Sequence, residues 1–316
     1  MKSQQQGVKK KAILDMDPGI DDAMALLLAL NSPDLDILAV TTVSGNVSVR
    51  RTTANALRII EAVNSKVPVH PGASRPIRSG ETIDAEFIHG RDGLGDTDLP
   101  EPKSAPSTVG AVDAVSALLK AHGPKEISIV ATGPLTNVAM LIEKDPSLAS
   151  RVDRIFVMGG TYDPLVRGNT TEYAEFNFYC DPEAAAIVFD FAAGKVSAPA
   201  VVASGLDVTS SADCAVTSTS LSTICSLSSR PAKVACKILQ YPVKTYSYFN
   251  LHDVFTLFSL LHPEVLKIEE CGGISISLDG AFRGRSVVKA GEGGNVAVCR
   301  QVNSQRFNQL VVDGLR

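Results

Sequence analysis

No C-x-x-C pair occurs among the six cysteines of this chain, Cys180, Cys214, Cys225, Cys236, Cys271 and Cys299, so they offer neither a zinc site nor a recognisable disulfide framework. A reducing, cytoplasmic setting is the expectation. Positive charge is equally thin: the charges are interspersed and sum to −4, which leaves no basic surface for nucleic acid or anionic lipid. No apolar run is long enough to span a bilayer. The opening residues MKSQQQGVKKK are polar and basic, but the apolar run behind them is short and broken by Asp15, which argues against a secretory signal. Residues 1–10 are expected to be flexible. Repeats and clean linkers are also lacking, so residues 1–316 are expected to form a single domain.

What is present is a chain 45% hydrophobic, enough for a sizeable core. Short β-rich segments such as KAILDMD, DILAVTTVSG, EISIVATG and RIFVMGG alternate with helical patterns such as IDDAMALLLAL, RTTANALRIIEAV and LTNVAMLIEK. That alternation predicts an α/β fold, an open and mostly parallel sheet with helices on both faces. Ligands of such sheets bind beyond the carboxyl ends of the strands. Those ends read DMDPG, TTVSGN, ATGPLTN, MGGTY and LDVT, rich in Gly and polar residues. Two long segments, about 73–107 and 161–181, are candidates for functional loops. The Ser/Thr-rich stretch 209–229 reads as a mobile flap or a poorly patterned connection, and the C-terminal SISLDGAFRGRSVVKAG and NVAVCRQV as an antiparallel addition.

The densest signal is ILDMDPGIDDAMAL, residues 13–26, with four carboxylates packed into eight positions. Strand alternation sends Asp15 and Asp17 to one side. Pro18 and Gly19 then turn the chain, and Asp21 and Asp22 fall in the first helical turn, where the helix dipole tolerates negative charge. The dipole is not sufficient. Two unit charges ~4 Å apart repel by about 4 kcal/mol at an effective dielectric near 20, so a bound cation is the economical reading. The nearby ligands are all hard oxygens, which favours Ca²⁺ or Mg²⁺ over zinc. The bland alternative makes Asp21 and Asp22 helix caps and pairs Asp15 with an arginine.

This stretch closely resembles the D-x-D-P-G-x-D-D-A-x-A-[LI] signature of the nucleoside hydrolases, the inosine-uridine-preferring N-ribohydrolase family. The resemblance continues in order through TTVSGN, IHG, ATGPLTN, MGG, GNTTEYAEFN-DPEAA and LHD, to about residue 262. It implies hydrolysis of the N-glycosidic bond of ribonucleosides to free base and ribose, with Ca²⁺ held by Asp17, Asp22, Asp253 and the backbone carbonyl of Thr132, and Asp15 supporting it. Asp17 would also be the general base toward the attacking water. Asp21, Asn46, Asn169, Glu175 and Asn177 would hold the ribose hydroxyls, with His89 and His252 near the base. The resemblance also implies a homodimer or homotetramer acting on a small nucleoside.

The inventory suits the chemistry. A carboxylate beside a weakly acidic ion completes the activation of water, and the oxocarbenium-like sugar left by the departing base is stabilised by nearby carboxylates and amides. His252 could protonate that base, although alone His252-Asp253 also reads as a loop residue and an N-cap. His89 alone reads as a solvated loop histidine, and Glu175 and Asn177 as ordinary polar residues. Tyr241, Tyr246, Tyr248 and Phe249 either line the base pocket or belong to a helix core. The absence of tryptophan argues against the purine-specific branch, which stacks the base between tryptophans, and favours a broad, pyrimidine or inosine-uridine preference. Two rivals stand beside this reading: a Mg²⁺ phosphatase of the haloacid dehalogenase type, whose D-x-D is followed by different residues, and a non-catalytic nucleoside or ribose receptor.

Overall fold

The computed structural model describes residues 9–78, 81–97, 99–194, 200–291 and 295–316. Of the N-terminal segment expected to be flexible, residues 1–8 lie outside that range, while Lys10 already opens the first strand. Strand β1 (Lys10–Met16) carries KKAILDM, whose last five residues are all buried. A strand covered on both faces has no need of polar alternation. Ala12, Leu14 and Met16 point into one hydrophobic core, and Ile13 into another on the opposite face. Asp15 shares the Ile13 face, as the two-residue period requires.

Around β1 lie β2 (Leu35–Thr42), β3 (Val69–Pro71), β4 (Ile127–Ala131), β5 (Arg154–Met158) and β6 (Ala200–Ser204). Two two-stranded ribbons are separate: β7 (Val216–Thr217) with β8 (Tyr248–Phe249), and β10 (Ile274–Ile276) with β11 (Ser286–Val288), both antiparallel. With β9 (Leu266–Cys271) and β12 (Val296–Val302), the main sheet has eight strands in the order β3-β2-β1-β4-β5-β6-β12-β9. Every neighbouring pair is parallel except β12 with β9. The predicted open, mostly parallel sheet is therefore the observed one. Chain order reverses between β1 and β4, and this is the point where such sheets leave a crevice at their carboxyl ends. The register sets Asp15 between Thr41 and Ala131 there.

Three expectations need correction. NVAVCRQV is not simply an antiparallel appendage, because β12 inserts beside β6 in parallel and only its other edge pairs antiparallel with β9. The segment 209–229 is not a poorly patterned connection: it contains β7, then the helix Ser218–Ser226 capped by Thr217. The cysteines also include a disulfide, Cys225–Cys236, with Cα atoms 5.0 Å apart. Its partners sit on the helices Ser218–Ser226 and Arg230–Tyr246, which pack as a short hairpin. A pairing made by helix packing leaves no spacing motif in the sequence.

Candidate active site

The helix Ile20–Asn31 begins directly after the Asp17-Pro18-Gly19 turn, and its apolar residues pack it against the helix His252–Leu261. That packing brings two distant acidic segments together. One carboxylate oxygen from each of Asp21, Asp22 and Asp253 lies within 4.8 Å of the others, and all three residues are buried. Asp22 is held by four donors, Thr132 Oγ1 at 2.7 Å, Gly19 N at 3.0 Å, Asn46 Nδ2 at 3.1 Å and Asp17 N at 3.3 Å. The bond from Gly19 is a helix cap, so the bland reading of Asp22 holds alongside the functional one. It fails for Asp15, whose Oδ1 accepts from Thr41 Oγ1 at 2.5 Å and Asn137 Nδ2 at 2.8 Å rather than from an arginine.

Asp17 stands in a slot cut to its size. Its Oδ2 accepts from Asn46 N at 2.7 Å. A Cβ added at Gly45 would lie 2.1 Å from that oxygen, and one at Gly133 would lie 2.6 Å from Oδ1. No larger residue fits at either position without moving the carboxylate. Asp15 Oδ2, Asp17 Oδ1 and Asp21 Oδ1 are buried without a hydrogen-bond partner. Buried acceptors are normally satisfied, so the bare oxygens of Asp17 and Asp21, beside the clustered carboxylates of Asp22 and Asp253, mark a place for a cation. Burial, and next the Asp22 charge, push the Asp17 and Asp21 carboxyls well above their usual range. Asp253 is raised by burial and by the charges of Asp21, Asp22 and Asp17. Hard, crowded and underpaired oxygens fit a divalent ion of the Ca²⁺ or Mg²⁺ kind.

Above this cluster opens a cavity of about 530 Å³, a size suited to a small organic molecule. Asp21, Asn46, His89, Thr132, Asn169, Glu175, Asn177, His252 and Asp253 all reach its wall, while Asp15, Asp17 and Asp22 do not line it. Asn46 donates from Nδ2 to the Asp17 carbonyl at 3.2 Å. Asn177 donates to the carbonyls of Thr132 at 2.7 Å and Met158 at 3.2 Å, so the Thr132 carbonyl already has one partner. Glu175 caps the short helix Phe176–Cys180, accepting from the backbone N–H groups of Asn177, Phe178 and Gly160. Its carboxyl is nevertheless pushed up to about 7 by burial. Asn169 is exposed at the cavity mouth and accepts from Phe176 N at 2.9 Å. Tyr246, Tyr248 and Phe249 line the cavity, whereas Tyr241 packs against the hydrophobic core.

Both histidines are fixed rather than solvated. His89 Nδ1 accepts at 3.0 Å from Ile20 N, one of the N–H groups a helix start leaves free. That bond makes Nδ1 an acceptor, so its 4.0 Å approach to Asp21 is not an ion pair. Burial, and then His252, lower His89 to about 3. His252 occupies the first position of its helix, bonds through Nδ1 to Thr209 Oγ1 at 2.8 Å, and is lowered to about 4 by burial. At neutral pH both rings are uncharged.

Several residues of the site went unassigned in the sequence although their motifs were conspicuous. Thr41 opens TTVSGN and Asn137 closes ATGPLTN, and together they hold Asp15. Asn55, buried in the helix Val49–Ala62, donates to the carbonyls of Pro18 at 3.1 Å and Asp92 at 2.8 Å, tying the aspartate turn to the loop behind His89. Asp207 accepts from the backbone N–H groups of Tyr162 and Asp163, fastening the loop that carries Asn169. Of these, Thr41, Asn137 and Asp207 lie in strand-end motifs, and that position was the available signal.

An acidic cluster at the switch point of a parallel sheet, beneath a cavity lined by polar side chains and aromatic rings, defines an α/β protein built to take a small molecule. The comparisons make this specific: the chain matches the inosine-uridine preferring nucleoside hydrolase family over residues 12–309 and belongs to it. It is 36% identical to the pyrimidine-specific ribonucleoside hydrolase RihA of Escherichia coli, covering 96% of this chain and 97% of that one. It is 35% identical to the probable uridine nucleosidase 1 of Oryza sativa subsp. japonica, covering 92% and 88%. A purine-preferring ribonucleoside hydrolase from Gardnerella vaginalis superposes with a TM-score of 0.89 at 27% identity, covering 97% of this chain and 98% of that one. The protein is thus a nucleoside hydrolase, with a small nucleoside as substrate, and the phosphatase and receptor readings are not favoured. Among the described residues no helix is long and apolar enough to cross a membrane.

Proposed function

We propose that the protein hydrolyses the N-glycosidic bond of ribonucleosides in a Ca²⁺-dependent way, with a broad, pyrimidine or inosine-uridine preference. The observation that supports the metal requirement is the buried carboxylate cluster of Asp21, Asp22 and Asp253, with bare oxygens on Asp17 and Asp21. Asp17, Asp22, Asp253 and the Thr132 carbonyl would hold the ion, with Asp15 behind them. Asp21, which has an oxygen in the cluster and also lines the cavity, would contact both ion and sugar. When bound, the ion supplies positive charge that offsets the crowded acids and orients water.

Asp17 takes a proton from the attacking water through the oxygen left free by Asn46. The water oxygen bonds to C1′ as the glycosidic electron pair leaves with the base. Asp21, Asn46, Asn169, Glu175 and Asn177 fix the ribose hydroxyls and face the developing positive charge. His252, uncharged at neutral pH, donates a ring N–H toward the departing base, and His89 lies beside it. Because the base takes up negative charge as it leaves, proton transfer from His252 becomes favourable only late in bond breaking.

The base preference rests on the absence of tryptophan and on the likeness to pyrimidine-specific and uridine-cleaving relatives. The structural likeness to a purine-preferring enzyme supports the broad end of that range. A role in nucleoside salvage or catabolism, a single domain, a homodimer or homotetramer and a cytoplasmic location complete the reading; a disulfide between Cys225 and Cys236 weighs against the last. The deciding experiment assays a panel of nucleosides for free base by chromatography, with and without chelator. Release of base from uridine or inosine that stops on chelation is expected. Undiminished release in chelator refutes the metal requirement, and no release from any nucleoside refutes the substrate class.

A further inference from the structure

We infer that Thr209 is a positioning residue that fixes which nitrogen of His252 carries the proton, so that the ring presents Nε2–H to the leaving base. This rests on the function proposed above. Thr209 ends the single helical turn Leu206–Thr209 at the carboxyl end of β6 and is fully buried. Its Oγ1 lies 2.8 Å from His252 Nδ1. A buried hydroxyl proton requires an acceptor, and among the described residues His252 Nδ1 is the one found for it. The hydroxyl therefore donates to Nδ1, and a neutral imidazole with Nδ1 accepting carries its hydrogen on Nε2. With Nδ1 engaged, Nε2 is the nitrogen left for the cavity that the ring lines.

The same turn is anchored on its other side, because Asp207 holds the N–H groups of Tyr162 and Asp163. Thr209 is therefore delivered to His252 by a turn tied to the loop that follows β5. In the sequence Thr209 closes the strand-end motif LDVT, but nothing there pairs it with His252.

The test compares Thr209→Val, which keeps shape and removes the donor, with Thr209→Ser, which keeps the donor. Two substrates are used: the nucleoside that the unaltered enzyme cleaves best, and 4-nitrophenyl β-D-ribofuranoside, whose leaving group is stable as an anion and needs no proton. In Thr209→Val, kcat on the nucleoside is expected to fall about ten- to hundredfold. On the nitrophenyl riboside kcat should stay within about twofold, with KM for both little changed, and Thr209→Ser should restore the nucleoside rate. An equal fall on both substrates, or no fall on either, overturns the assignment. A second measurement needs no Thr209 variant: ¹⁵N-histidine NMR of the unaltered protein, with the His252 signals assigned by their loss in His252→Asn. A protonated Nε2 with an unprotonated, hydrogen-bonded Nδ1 is expected, and a protonated Nδ1 refutes the inference. Failure of the unaltered enzyme on every nucleoside counts against the proposed function, while the NMR result still decides the tautomer.

Discussion

Replacing Asp17 with asparagine should separate activity from stability and move them in opposite directions. The amide oxygen can keep the bond from Asn46 N, now 2.7 Å long, and the amide nitrogen takes the place of the unpartnered Oδ1. The two glycines that flank the carboxylate leave room for a group of this size and no more. What disappears is one negative charge among the buried acids. At ~5 Å and an effective dielectric near 20, a pair of like charges repels by about 3 kcal/mol, and Asp22 is the neighbour that most raises the Asp17 carboxyl after burial itself. In chelator the variant should therefore melt higher, by about 2 °C per kcal/mol relieved in a chain of this size. A general base contributes roughly 10²- to 10⁴-fold to rate, so kcat should fall by at least the lower figure. Scanning calorimetry in chelator and initial rates at saturating nucleoside and calcium check both halves. A variant that keeps near-normal kcat, or that loses activity because it no longer folds, refutes the account of Asp17.

Gly133→Ala should abolish turnover while leaving the sheet intact, since the new Cβ would meet Asp17 Oδ1 at 2.6 Å; normal rates with normal calcium affinity would sink the idea of a fitted slot. Asn137→Ala strips donors from Asp15 Oδ1 and the Thr42 carbonyl and the acceptor from Ala73 N. At about 1 kcal/mol or more for each buried group left unpaired, urea unfolding should show a loss of about 3 kcal/mol, and an unchanged midpoint would contradict it. In chelator, the His252 ring should titrate near 4 rather than near 6.5. A histidine whose folded pKa is depressed contributes stability that is present above about 6.5 and lost as pH falls through 4; an NMR midpoint near 6.5 would show the ring to be solvated.

The fold was legible because short apolar runs alternate with longer helical segments, several of them clearly amphipathic, and the carboxyl-end motifs then marked one edge of the sheet. Asp15 to Asp22 announced a site by their density. Less legible was what each carboxylate touches. Asp21, expected at the sugar, has an oxygen among those of Asp22 and Asp253, because the helix Ile20–Asn31 packs directly against the helix His252–Leu261, and no local pattern encodes that contact. Glu175 serves as a helix cap as well as a wall of the cavity. Thr209 and Asn55 act through hydrogen bonds across more than thirty positions of sequence, a range at which composition and periodicity carry no information. The Cys225–Cys236 pairing, only 11 positions apart, was hidden because it is made by the packing of two helices and leaves no spacing motif.

The central claim is that the bare oxygens of Asp17 and Asp21, with the clustered carboxylates of Asp22 and Asp253, mark a resident divalent ion. Calcium titration of the chelator-treated protein by calorimetry, followed by anomalous diffraction from calcium-soaked crystals, addresses it most directly. One equivalent of calcium bound among Asp17, Asp22, Asp253 and Thr132 is the predicted result. Full nucleoside turnover in chelator, with no heat of binding and no anomalous peak at that position, would contradict it.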